Sequence, residues 1–165
     1  MKKASVIFGV ILVVTVIALV SSCKKEKSLT PEQKVEIALD EFVSKLVSNP
    51  PTTADISGRV KDYMLSNPNS FYGATVTLLD TARMAVISPY WYRVSDSITL
   101  SNNLMDTSYH INTQLWLRGP IDGGMSIWTA PYFDAGGGNI WMKTRSAPVY
   151  LNGRIIAVAT TDLSI

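Results

Sequence analysis

IWTAPYFDAGGGNIWMKTRSAPVYLNGRIIAVATTDLSI, Ile127 to Ile165, decides the fold. It holds three apolar runs separated by two turn signals. Trp128 to Phe133 is the first run, and Asp134-Ala135-Gly136-Gly137-Gly138-Asn139 follows it with residues that tolerate a positive φ. Ile140 to Ala147 is the second run; Val149-Tyr150-Leu151 then leads into Asn152-Gly153, a dipeptide favoured in two-residue hairpin turns. Arg154 to Leu163 is the third, rich in β-branched residues. The pattern predicts an antiparallel meander, with strands over Met125–Phe133, Asn139–Ala147 and Arg154–Leu163.

Upstream, Phe71–Leu79 and Met84–Ser88 read as two further strands, with Pro89 ending or bending the second. Tyr90-Trp91-Tyr92-Arg93 is an aromatic cluster directly after them. Ser95 to Asp106 is polar and reads as loop, Tyr109 to Leu117 as a short helix, and Arg118 to Gly124 as loop again. Before the strands, Thr30-Pro31-Glu32-Gln33 is a helix start: Thr30 as N-cap, Pro31 at the first helical position, Gln33 completing a capping box. Val35, Leu39, Phe42 and Leu46 follow at helical spacing until Asn49-Pro50-Pro51. A second helix carries Ile56, Val60 and Met64 to about Asn67-Pro68. The apolar stripes fit packing on the domain's own sheet or, for part of their width, a dimer seam.

The chain has 165 residues and a formal net charge of +2. Lys2 and Lys3 belong to an N-terminal leader; without residues 1–22 the basic and acidic residues balance, which gives nucleic-acid binding no electrostatic support. About 140 residues remain, enough for one core and one domain. The leader has a basic start, an apolar stretch from Val6 to Val20 and the small residues Ser21 and Ser22 before Cys23, the only cysteine. This is similar to a bacterial lipobox, which implies lipid attachment at Cys23. The rival reading is an uncleaved membrane anchor, since Ala4 to Ser22 approaches the ~20 residues a spanning helix needs. Residues 23–29 then form a tether, and residues 30–165 form the single domain.

Trp128, the PYFD of Pro131–Asp134, the GGGN of Gly136–Asn139, the APVY of Ala147–Tyr150 with Gly153, and the closing TTDLSI together resemble the Cache sensor domains, extracytoplasmic relatives of the PAS fold. The resemblance spans Phe71 to Ile165 and is nearest to Cache domains found in front of bacterial serine phosphatases and chemoreceptors. It implies an α+β, PAS-like five-stranded antiparallel sheet with helices on one face, here residues 71–165 preceded by helices over residues 30–67. It also implies a bacterial cell envelope location, facing the periplasm or the exterior. Cache domains that bind amino acids share a dispersed motif: arginine, one residue, tryptophan, tyrosine; then tyrosine, one residue, aspartate; then an aspartate late in the last strand. Trp116, Tyr132, Asp134 and Asp162 match it, while Gln114 and Leu117 depart from it. The loss of arginine at Gln114 removes the bidentate clamp on a carboxylate. Two carboxylates with aromatic walls, to which Tyr92 is added, fit a small polar or amine-bearing ligand. Trp116 and Tyr132 as core, with Asp162 satisfying backbone donors, remain the alternative.

Catalytic signatures do not emerge. His110 is the only histidine, and the triple glycine lacks the lysine and hydroxyl residue that end a phosphate-binding loop. No metal, cofactor or enzymatic activity is expected. Two functions stay open: a small-molecule sensory module with no output domain of its own, or a degenerate Cache fold acting as a structural, dimerisation or protein-interaction module, each with a homodimer or signalling partner. Palmitate labelling separates the two anchors. The lipobox reading expects label on the wild type that is lost in Cys23→Ser, and an unlabelled wild type leaves the uncleaved anchor.

Overall fold

In the computed structural model, residues 28–165 are described; the leader, the lipobox and Cys23 lie outside them. The meander closes as expected. Strands β7 (Trp141–Leu151) and β8 (Arg154–Ser164) form an antiparallel hairpin whose turn residues, Asn152 at φ 50° and Gly153 at φ 77°, are both left-handed, as a primed turn requires. The register runs Leu151↔Arg154 and Tyr150↔Ile155, then shifts to Val149↔Ala157, so Ile156 is an extra residue in β8. Pro148 does not end β7: it lies beyond Ser146, the last partner of β5 (Ile127–Trp128), where no neighbour on that side asks for its missing N–H.

Around this hairpin the sheet runs β4-β3-β1-β8-β7-β5, with β2 paired to β1 and β6 to β7, all antiparallel. β1 spans Gly73–Leu79, β2 Ala85–Ile87, β3 Tyr90–Val94, β4 Ser97–Ser101 and β6 Tyr132–Phe133. The α+β antiparallel architecture with leading helices is as expected, but the sheet has eight strands rather than five. The aromatic cluster and the polar segment after it form the hairpin β3–β4, turning at Ser95 (φ 53°). β4 is a mostly exposed edge strand, so its sequence carries no apolar alternation. The expected strand over Met125–Phe133 divides into β5 and β6. Between them Thr129 is bound to Thr144 through both its backbone N–H and its Oγ1 (2.9 and 3.0 Å), and Pro131 has no N–H to give.

Helix α1 (Pro31–Ser48) has the full capping box: Thr30 N donates to Gln33 Oε1 (3.0 Å), and Gln33 N donates to Thr30 Oγ1 (3.2 Å). Its stripe Val35, Leu39, Phe42, Leu46 is buried with Val60, Tyr63 and Met64 of α2 (Ile56–Leu65) against Ala74, Val76, Ala157 and Ala159 of the sheet. Glu32 pairs with Lys143, and Trp128 Nε1 donates to Glu36 Oε1 at 2.8 Å, so α1 is fixed to β5 and β7.

Helices lie on both faces of the sheet, not one. The second face is covered by three 3-10 turns between Asn103 and Thr113 and by α3 (Leu115–Gly123), which bury Leu104, Tyr109, Ile111, Trp116, Leu117 and Ile121 over Tyr90 and Val158. The expected helix over Tyr109–Leu117 is therefore displaced: 3-10 turns occupy its first part, and α3 runs through the Arg118–Gly124 segment read as loop. A glycine at 119 lets α3 approach β5, since a Cβ there would lie 2.3 Å from Ile127 Cδ1. Gly153 has open space around it, so only its φ constrains it. Gly153→Val is expected to lower the unfolding free energy by about 1–2 kcal/mol through left-handed strain at a β-branched residue, checked by urea titration with an unchanged m-value.

Candidate functional site

Strand alternation sorts the last two strands by face. In β8, Ala157, Ala159 and Leu163 point at α1 and α2, while Val158 points at α3; Asp162 and Thr160 share the face of Val158. Asp162 is 3 % exposed. Across the hairpin its partner is Thr144, and on the other side Gly73 of β1.

Thr144 Oγ1 donates to Asp162 Oδ1 at 2.7 Å, and Tyr90 Oη donates to Oδ2 at 2.9 Å. The single hydroxyl proton of Thr144 is thereby used, so the 2.9 Å contact between Tyr132 Oη and Thr144 Oγ1 has Tyr132 as donor. Gly73 makes the Tyr90 contact feasible: a Cβ at this position would stand 2.2 Å from the tyrosine oxygen.

Asp134, also buried, closes the other side. Tyr109 Oη donates to Asp134 Oδ1 at 2.8 Å and receives Trp116 Nε1 at 3.2 Å. The glycine loop after it folds back on the carboxylate: Gly136 (φ 99°) and Asn139 (φ 54°) take left-handed conformations, and Asn139 N donates to Asp134 O at 2.8 Å. A Cβ on Gly137 would lie 1.9 Å from Asp134 Oδ2, so only a glycine allows this approach.

Asp134, Asp162, Tyr90, Tyr109, Trp116 and Tyr132, with hydroxyls of Thr75, Thr144 and Thr160, thus surround one cavity of about 10 Å3. That is room for roughly one water. Among the described residues no salt bridge reaches either carboxylate. Burial raises both: Asp162 is pushed up to about 7 against the lowering hydrogen bonds of Thr144 and Tyr90, and Asp134 is raised against those of Tyr109 and Gly137. Burial likewise raises the hydroxyls of Tyr90, Tyr109 and Tyr132, with the neighbouring carboxylate charge adding to it.

Of the six residues singled out from the sequence, Trp116, Tyr132, Asp134 and Asp162 meet at this cavity. Tyr92 does not: it pairs with Gly73 and stacks on Tyr90, with ring centroids 5.5 Å apart. Gln114 also stands outside, its amide donating to Tyr109 O at 2.8 Å, and it lines a neighbouring cavity. Tyr90, Tyr109 and Thr144 were not anticipated. Tyr90 could have been found from Tyr92 by strand alternation, whereas Thr144 depends on the register shift at Ile156.

The sequence model described as the first PDC sensor domain of methyl-accepting chemotaxis protein-like proteins matches residues 58–165. No curated protein sequence matches the chain. Among solved structures, the extracellular domain of a histidine kinase is similar with TM-score 0.62 and 24% identity, over 78% of this chain and 52% of that one. The ligand-binding domain of the Pseudomonas aeruginosa amino-acid chemoreceptor PctC, in complex with GABA, gives 0.55 at 18% identity, over 78% and 55%. A Campylobacter jejuni chemoreceptor ligand-binding domain, in complex with L-valine, gives 0.57 at 19% identity, over 78% and 50%. The chain spans about half the length of these structures, and the likeness shows the fold.

The raised Asp162 carboxyl has a consequence for stability. The fold holds its proton more tightly than the unfolded chain does, so its contribution is full below the ordinary carboxylate range and is lost as pH rises through about 7. The melting temperature of the ligand-free domain is expected to fall between pH 4 and 7.5. The underlying change is on the order of 4 kcal/mol. Asp162→Asn should flatten the profile, leaving the same-sign contribution of Asp134 and the opposite one of Glu32, which its bond to Lys143 holds low, as calorimetry across that range can measure.

Proposed function

The chain belongs to the family of methyl-accepting chemotaxis protein-like first PDC sensor domains, and from that membership we propose that it is an extracytoplasmic sensory module binding a small amine-bearing molecule between Asp134 and Asp162. The observation that carries this reading is the pair of buried carboxylates whose side-chain partners, among the described residues, are hydroxyl groups alone, with no salt bridge to either. A buried carboxylate without a counter-charge holds a proton or takes up a cation. A ligand ammonium supplies three donors and the missing charge, and the faces of Trp116, Tyr132, Tyr109 and Tyr90 suit a cation.

The remainder of the ligand is neutral or apolar in this reading. Gln114 stands where the amino-acid-binding pattern has arginine, and its amide is committed to the Tyr109 carbonyl, so a ligand carboxylate finds no bidentate clamp. The complexes of similar domains with GABA and L-valine support a small ligand that carries an amine. Entry requires the cavity to open. The wall residue Tyr132 sits in a two-residue strand between Pro131 and the glycine loop, a segment with few backbone hydrogen bonds to break.

The same proposal puts the domain on the outer side of a bacterial membrane, held by a lipid on Cys23 or by the apolar segment before it. A second reading has its own observation: a cavity of about 10 Å3 suits a filled, structural module whose exposed helix face pairs with a partner.

Thermal-shift titration with primary amines separates the two. A ligand at a hundredfold excess over its Kd stabilises by about 2.7 kcal/mol, a shift of several degrees. Asp162→Ala is expected to abolish that shift while the ligand-free variant stays folded, because an unpaired buried charge has been removed. Absence of any shift in the wild type, with Asp162→Ala unfolded, would establish the structural module instead.

A further inference from the structure

A second cavity, of about 190 Å3, lies against the carboxylate site and shares two of its walls, Trp116 and Tyr132. Its other walls include Leu115, Ala130 and Pro131, and none of its lining residues is charged. Its polar groups are largely occupied: the Gln114 amide donates to Tyr109 O, and Thr129 Oγ1 accepts from Thr144 N. The two rings between the cavities are each two hydrogen bonds from a carboxylate, Trp116 through Tyr109 and Tyr132 through Thr144. The two spaces meet at these rings, the walls they have in common.

We propose that this chamber is a subsite for the hydrocarbon tail of the ligand, so that the molecule recognised is a primary alkylamine with a short apolar chain, its ammonium on Asp162 and Asp134 and its chain passing between Trp116 and Tyr132. This rests on the amine reading above and narrows it. The walls favour an apolar tail: none of the lining residues carries a charge, so the second ammonium of a diamine or the carboxylate of a zwitterion gains no counter-ion there. The volume sets the length. An apolar cavity of ~150 Å3 holds the six carbons of one benzene, so about 190 Å3 takes a chain of roughly seven carbons, which a butyl group leaves unfilled and an octyl group exceeds.

The test is a calorimetric series of methyl-, ethyl-, propyl-, butyl- and octylammonium at pH 8, with putrescine and GABA alongside, on the wild type and on Ala130→Trp. Ala130 is an exposed loop residue at the chamber wall, so the substitution fills the chamber without entering the core. Affinity is expected to rise about fourfold per methylene, the burial value of one CH2, as far as butylammonium, and to fall for octylammonium. Putrescine and GABA should bind at least tenfold more weakly than butylammonium. In Ala130→Trp the dependence on length should vanish while methylammonium binding is kept. Equal affinities along the series, a rise that persists unchanged in Ala130→Trp, or putrescine or GABA binding as tightly as butylammonium overturns the subsite and leaves the amine site standing. Failure of every ammonium to bind overturns the amine reading, and the subsite with it.

Discussion

The register of β7 on β8 is the constraint from which the site follows. Counted back from the Asn152-Gly153 turn without interruption, the hairpin would set Lys143 opposite Asp162 and on the same face, an ion pair. The extra residue at Ile156 moves the pairing by one, and Thr144 stands there instead. Asp162 is thereby turned to the face opposite Lys143, which is left to pair with Glu32 of α1 and lies 5.5 Å over the Trp128 ring. One inserted residue thus does two things: it leaves a carboxylate in the middle of the sheet with no cation, and it gives the leading helix its anchor.

An uncompensated carboxylate out of water is costly unless donors surround it. The second face of the sheet is organised to provide them. Two hydrogen-bond relays converge, Trp116 to Tyr109 to Asp134 and Tyr132 to Thr144 to Asp162, with Tyr90 completing the second carboxylate. Each relay starts on a ring that walls the cavity and ends on a charge inside it. The rings are consequently held in place by hydrogen bonds that lead back to the two carboxylates.

Features written locally were legible in the sequence. The capping box of Thr30 and Gln33 gave α1 its start, the stripe from Val35 to Leu46 its buried face, and Asn152-Gly153 the last hairpin. Features that depend on tertiary context were not. β4 is an edge strand with little buried, so its residues read as loop. α3 contains Gly119, Pro120 and Gly123, each a weak helix former, yet Trp116, Leu117 and Ile121 find enough burial to hold the turn. For the site, the resemblance to the dispersed motif of amino-acid-binding Cache domains flagged the two aspartates and two of their walls. Their donors could not be named, because a bulge leaves no mark in a run such as Arg154–Ala159.

The bare backbone at Gly73 has a meaning for how this sequence can change. A methyl group there would occupy the place of the Tyr90 hydroxyl, and that hydroxyl is one of two side-chain donors to Asp162. Positions 73, 90 and 162 therefore behave as one heritable unit. Any side chain at 73 demands a smaller residue at 90, and a smaller residue at 90 strips a donor from 162, so single steps at 73 and 90 are closed for as long as the aspartate is kept. A descendant that has lost the aspartate is freed at all three positions at once. Covariation among them would record, in the sequence alone, whether a given lineage still keeps a charge at the centre of its sheet.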